Sequence, residues 1–292
     1  MFNLYTLDNG LRVVTEYIEH VNSISVGIMV QNGSRNETKD ENGISHFIEH
    51  MFFKGTDKRN AKEIVQEIEN IGGQINAYTS KETTCYYIKA LNTHVDLCLD
   101  VISDMLLNSK FDEEEIKKEQ GVVIEEINMS QDSPEDVLDE IHSEAIFGNN
   151  SLAYPILGTA DKIKSFNRKK IKDYIKTHYT PYNSVLSICG KFDEKELKKL
   201  IEEYFGKWSK DNVYNPTYES VILNSDSKYN LDFICLLDIV ATDKIIKTLE
   251  KRGIEVIIYG TININKSVKY IVDDKNLWIF HQIVLIFLIF SV

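Results

Sequence analysis

Cysteine is scarce in this chain of 292 residues, and what there is forms no pattern. Cys85, Cys98, Cys189 and Cys235 include no Cys-x-x-Cys pair, which excludes a cysteine zinc site and a disulfide framework and fits a reducing compartment. Positive charge is also short: 33 Lys and Arg against 45 Asp and Glu leave a net charge of -12. Phosphate contacts need clustered basic side chains, so nucleic acid is not an expected partner. The start, Met1-Phe2-Asn3-Leu4-Tyr5, shows no basic stretch followed by an apolar core, so no signal peptide is read and a cytoplasmic location is expected. The most apolar stretch, residues 277–292, is shorter than the ~20 residues of a spanning helix, and a membrane location is not expected. From Asp226 onward acids and bases balance, so the negative excess lies in the first three-quarters of the chain. Such charge is ordinarily a solvated surface, although an acidic cavity would favour basic peptides.

What is present is one dense motif, His46-Phe47-Ile48-Glu49-His50. On a helix, positions i, i+3 and i+4 share a face, so two imidazoles and one carboxylate converge. Neutral imidazoles suit Zn²⁺, and a carboxylate outside the ligand set can move a proton for an activated water. The pattern is the inverted relative of His-Glu-x-x-His, the inverzincin signature. Ile44, Phe47, Ile48, Met51 and Phe52 make this helix apolar over most of its circumference, which predicts burial. Buried His and Glu need partners, and a metal supplies one. Ser45 is the expected helix cap, and Gly55 the stop.

Around the motif, Asp8-Asn9-Gly10 predicts a hairpin turn between strands at 4–7 and 11–17, and a third strand spans 24–30. Helices are expected at 60–71, 95–107, 112–129, 133–147, 167–179 and 193–205, and further strands at 74–79, 83–91 and 184–190. This order predicts an α+β fold, an antiparallel sheet with helices packed on it.

With Leu7-Asp8-Asn9-Gly10-Leu11, Gly43-Ile44-Ser45-His46-Phe47-Ile48-Glu49-His50-Met51, Gly72-Gly73-Gln74-Ile75-Asn76-Ala77-Tyr78-Thr79 and Val123-Ile124-Glu125-Glu126-Ile127 in this order, the chain resembles the pitrilysin/insulinase superfamily of zinc peptidases, in its mitochondrial-processing-peptidase-like branch. The resemblance covers roughly residues 2–208. It implies a processing-peptidase-like α/β roll that binds one zinc ion per chain and hydrolyses extended peptides or unfolded segments. His46 and His50 then correspond to two metal ligands, and the family's third ligand lands on Glu126, with Glu125 the neighbouring alternative. Glu49 corresponds to the general base. Glu119, two helical turns before Glu126, matches a second catalytic-centre glutamate, although the residues alone favour an exposed charge in a Lys-rich helix. Gln74–Thr79 matches the substrate-binding edge strand, with Asn76, Ala77 and Tyr78 the expected substrate contacts. For Tyr78 and Thr79, ordinary strand packing is an equal expectation. His20, His94, His142, His178 and His281 stand outside any motif and read as surface or packing residues.

Members of that superfamily usually carry a second, metal-free unit that closes over the first. The pattern here fades after Trp208, so a catalytic domain at 1–223 and an unrelated tail at 224–292 are expected. The missing half implies a chain truncated after its first domain, active with a partner subunit or a second copy, or else one that binds peptide and turns over poorly.

Overall fold

Asp8, Asn9 and Gly10 turn the chain between β1 (Phe2–Thr6) and β2 (Arg12–Tyr17), which pair antiparallel. Gly10 sits at φ 95°, a conformation that favours glycine. Asn9 does more than turn the chain. Buried, it donates from Nδ2 to the carbonyls of Phe205 (2.7 Å) and Trp208 (3.3 Å), while its Oδ1 accepts from the Leu11 amide. One side chain thus fastens the first hairpin to the end of the last described helix.

The structure, a computed structural model, describes residues 2–209. In chain order the next elements are β3 (Ser23–Val30), α1 (Ile44–Phe52), α2 (Ala61–Glu69), β4 (Gln74–Thr79) and β5 (Thr84–Leu91). Then come α3 (Val95–Asn108), α4 (Glu113–Gln131), α5 (Pro134–Phe147), α6 (Ala160–Ser165), α7 (Arg168–His178), β6 (Ser184–Gly190) and α8 (Glu194–Phe205). The boundary expected at 223, the tail and its apolar run lie outside the described residues. Among the described residues no helix is long and apolar enough to cross a membrane.

Local chemistry explains the helix starts. Asn60, Asp112, Ser133, Asn167 and Asp193 each accept a hydrogen bond from an amide in the first turn that follows. Asn60 and Glu63 form a reciprocal capping box. Helix α6 is the one helix the sequence pattern did not announce, being a single six-residue segment too short to show periodicity.

The six strands form one sheet in the order β1-β2-β6-β3-β5-β4. The expectation of an antiparallel sheet needs one correction: β2 and β6 pair in parallel, with Arg12 opposite Val185 and Tyr17 opposite Gly190. Parallel neighbours need a long crossover, and residues 18–183, most of the domain, supply it. Strand β6 is buried along its whole length, as a central strand covered on both faces must be. Strand β4 ends the sheet, and among the described residues no strand pairs with its outer edge.

Helix α1 buries Ile44, Phe47, Ile48, Met51 and Phe52, each worth ~1.5–3 kcal/mol as an apolar side chain removed from water. The Phe52 ring meets Tyr86 of β5 at 5.1 Å and Tyr179 at 5.5 Å. Beside it, the loop before α2 is tied to α3 through Arg59, which is 8% exposed. Its guanidinium reaches Asp104 (2.9 Å), Asp100 (2.5 Å) and Glu67 (2.9 Å), and Asp104 is 1% exposed. Replacing Arg59 by Met would strand a buried carboxylate. The expected cost is about 3–5 kcal/mol, read as a lower urea midpoint for the full chain.

Candidate metal centre

Helix α1 projects His46 and His50 from one face, and α4 brings Glu126 across to them. The three donor groups lie within 4.8 Å of one another. Glu126 Oε2 is 3.8 Å from His46 Nε2 and 3.5 Å from His50 Nε2. Glu125, the alternative left open by helical periodicity, is exposed and outside this cluster. Two imidazole nitrogens and one carboxylate oxygen are a donor set suited to zinc, with the fourth position left for water.

The two histidines are held differently. His50 Nδ1 is 2.8 Å from Glu119 Oε1, which leaves Nε2 to face the cluster. Glu119 also takes an ion pair from Lys54 at 2.5 Å and is 3% exposed, so it is no solvated surface charge. Burial pulls the His50 proton affinity down, but the hydrogen bond and charge of Glu119, with Glu126 and Glu49, raise it overall. Burial lifts the proton affinity of Glu119, and the hydrogen bonds and charges of His50 and Lys54 outweigh it, leaving that carboxylate more acidic. His46 has no such partner: its Nδ1 is buried without a hydrogen bond among the described residues. Burial, and then the charge of His50, push the His46 imidazole down to about 4, so it stays neutral as a metal ligand must be.

Glu49 lies on the same helix between them. Its Oε2 accepts from Thr79 Oγ1 of β4 at 2.5 Å. Burial raises its proton affinity, against the opposing pull of Thr79 and His50. A carboxylate raised in this way holds a proton more readily than a free one, which suits a proton carrier.

His46, Glu49 and Glu126 line a cavity of about 930 Å³ together with Ala77, Tyr78 and Thr79 of β4. Its far wall is α5, with Asp136, Asp139 and Glu140, and Lys81 lies among the lining residues. His142, half-buried, also lines the cavity. His178, by contrast, is a packing residue, stacked on Tyr174 at a centroid distance of 3.9 Å. Asn76 is exposed and not part of the lining; its Oδ1 accepts from the Ala77 amide at 2.9 Å.

Ser45 is not the helix cap expected of it. It is fully buried inside α1, 3.1 Å from Asn32 Nδ2 and 3.2 Å from Tyr174 OH. The cap position is Gly43, and the carboxylate that meets the first turn comes from Glu37. Glu37 sits in an irregular stretch with no periodicity, so nothing in the sequence pattern pointed to it.

A mostly antiparallel sheet, a His-x-x-x-His helix beside its edge strand, and a glutamate from a second helix define a metallopeptidase-type α+β domain. The chain belongs to the insulinase family, peptidase family M16, whose family model matches residues 12–160. A second model, described as the Peptidase M16 inactive domain, matches residues 165–234. Family likeness therefore runs past Trp208, where the motifs fade. The chain is 47% identical over 239 residues to an uncharacterized zinc protease, YmxG, of Bacillus subtilis, covering 81% of this chain and 58% of that protein. It is 39% identical over 234 residues to the probable mitochondrial-processing peptidase subunit beta of Arabidopsis thaliana, covering 80% of this chain and 43% of the other. Among solved structures it resembles a protease from Helicobacter pylori, with a TM-score of 0.70 and 27% identity over 77% of this chain and 54% of that one. The chain spans about half the length of the curated relatives it matches.

Proposed function

We propose that this chain is the catalytic half of a zinc-dependent endopeptidase that hydrolyses extended peptides or unfolded protein segments. The observation that carries the reading is the convergence of His46, His50 and Glu126 within 4.8 Å, beside a cavity lined by His46, Glu126 and Glu49. His46, His50 and Glu126 would hold one zinc ion per chain. Zinc, when bound, supplies a water of lowered pKa and polarises the scissile carbonyl. Glu49 takes the proton of the attacking water on its carboxylate and returns it to the departing amine. Glu119 orients His50 through Nδ1, the usual way an outer carboxylate fixes the tautomer of a ligand.

Ala77, Tyr78 and Thr79 of β4, the outermost described strand, line the cavity, and an extended peptide can add to that strand as a further one. Asn76, Ala77 and Tyr78 are assigned to that contact. Thr79 joins them through its bond to Glu49. Asp136, Asp139 and Glu140 on the far wall favour basic side chains in the bound segment. The cysteine pattern, with Cys85, Cys98 and Cys189 buried as free thiols, supports the cytoplasm as the compartment.

Metal removal tests the reading. The full chain is expected to hold one equivalent of zinc and to cleave an internally quenched extended peptide. A chelator should abolish cleavage, and added Zn²⁺ should restore it. Stoichiometric zinc without cleavage, alone or with the homologous second half of a relative, would favour a peptide-binding role instead. A chain that takes up no zinc would overturn the reading.

A further inference from the structure

The first turn of α1 presents a problem that the sequence solves from outside the helix. Amide groups at a helix start lack intrahelical partners and are ordinarily met by the side chain of the capping residue. The residue in that position is Gly43, which has no side chain to offer. It must be glycine for two reasons: φ is 92°, and a Cβ would sit 2.7 Å from Leu157 O and 2.8 Å from Gly158 Cα. Packing against residues 157–158 therefore forbids a conventional cap.

Glu37 fills the gap. Its carboxylate accepts from the Gly43 amide at 2.8 Å, the Ser45 amide at 2.8 Å and Asn42 Nδ2 at 3.1 Å. It places a negative group against the positive end of the helix. The same Asn42 Nδ2 donates to Pro155 O at 2.9 Å, and Pro155 lines the cavity. Glu37 is 4% exposed. Burial pushes its proton affinity up to about 7, while the bonds from Ser45, Gly43 and Asn42 pull it back. This is a desolvated carboxylate that touches no metal-site side chain in the hydrogen-bond pattern described.

His46 directly follows Ser45, and its ring has no orienting partner comparable to Glu119 on His50. Its position is set by the backbone of the first turn and by packing. We propose that Glu37 is a positioning residue of the metal centre: by holding the Gly43 and Ser45 amides it fixes the first turn of α1, and with it the place of His46. The proposal rests on the zinc reading above, and it assigns to Glu37 an effect on metal geometry transmitted through backbone.

The test uses the full chain and two probes, Zn²⁺ in competition with a chromophoric chelator and Co²⁺ followed by its visible absorption. Glu37→Ala is expected to weaken zinc binding by about tenfold or more, in the range seen when groups behind a ligand are removed. Glu37→Gln, which keeps the shape and one acceptor, should lose less. Both should shift the Co²⁺ absorption, because the His46 donor has moved. Arg59→Met serves as the control, destabilising the fold through its ion pairs with Glu67, Asp100 and Asp104, none of which belongs to the metal cluster, while leaving zinc affinity and the Co²⁺ spectrum unchanged. Should the Ala variant fail to fold, the Gln variant and the spectrum of its Co²⁺-bound fraction decide. Glu37 variants with wild-type affinity and spectrum would overturn the proposal and leave the zinc reading standing. A wild-type chain that binds no zinc would overturn both.

Discussion

Glu126→Gln is expected to lower the zinc affinity of the full chain by roughly a hundredfold or more, and Glu125→Gln to leave it unchanged. The two residues are sequence neighbours of identical chemistry, so the comparison isolates geometry. Glu126 is the carboxylate within reach of both imidazoles, while Glu125 points away from them and is exposed. An amide oxygen carries no formal charge, and the cation would then be held by two neutral imidazoles alone. Chelator competition on the purified variants measures the difference directly. Equal loss in both variants would mean that helix α4 is being disturbed as a whole. Loss in Glu125→Gln alone would reverse the ligand assignment.

Glu49→Gln separates binding from chemistry. The variant is expected to keep its zinc, since Glu49 is not one of the three clustered donors, and to lose cleavage by about 10²–10⁴-fold. Glutamine retains the size of the side chain and an oxygen that can accept from Thr79 Oγ1, so the local packing is preserved. What it lacks is a site for the proton of the attacking water. A quenched-peptide assay with zinc content measured on the same sample reads both quantities. Undiminished cleavage would remove Glu49 from the mechanism, and loss of zinc would place it among the ligands.

How much of this was legible in the sequence depended on whether the determining interactions were local. His46, Glu49 and His50 share a helix face at fixed spacing, so their convergence follows from helix geometry alone. The hairpin at Asp8-Asn9-Gly10 and the caps at Asn60, Asp112 and Asn167 are equally local, and residue type announces them. Glu126 is a different case. Periodicity could not choose between it and Glu125, because that choice depends on how α4 is rotated against α1, which packing decides. The burial of Glu119 was hidden for the same reason: its partners are distant in sequence, His50 on α1 and Lys54 just past the end of that helix. Ser45 shows a local rule overruled. It has the right residue type for a cap and stands beside the helix start, but the cap position falls two residues earlier, at Gly43, and Glu37 meets the first-turn amides. The parallel pairing of β2 with β6 was invisible because strand neighbours separated by most of a domain leave no mark on either strand.

That pairing also governs the order in which the domain can be built. Every residue assigned to the metal lies between positions 46 and 126, but the seam β2-β6-β3 is completed only by Ser184–Gly190. A chain emerging from the ribosome therefore displays its metal motif long before the sheet can close. Until β6 arrives, β2 and β3 each keep an unpaired edge, the kind of surface that seeks other strands. Closure must also recruit contacts of large sequence separation, which slows folding relative to helix-rich chains of similar length. The metal motif is an early segment of the sequence, while the sheet behind it is completed only by one of the last described strands.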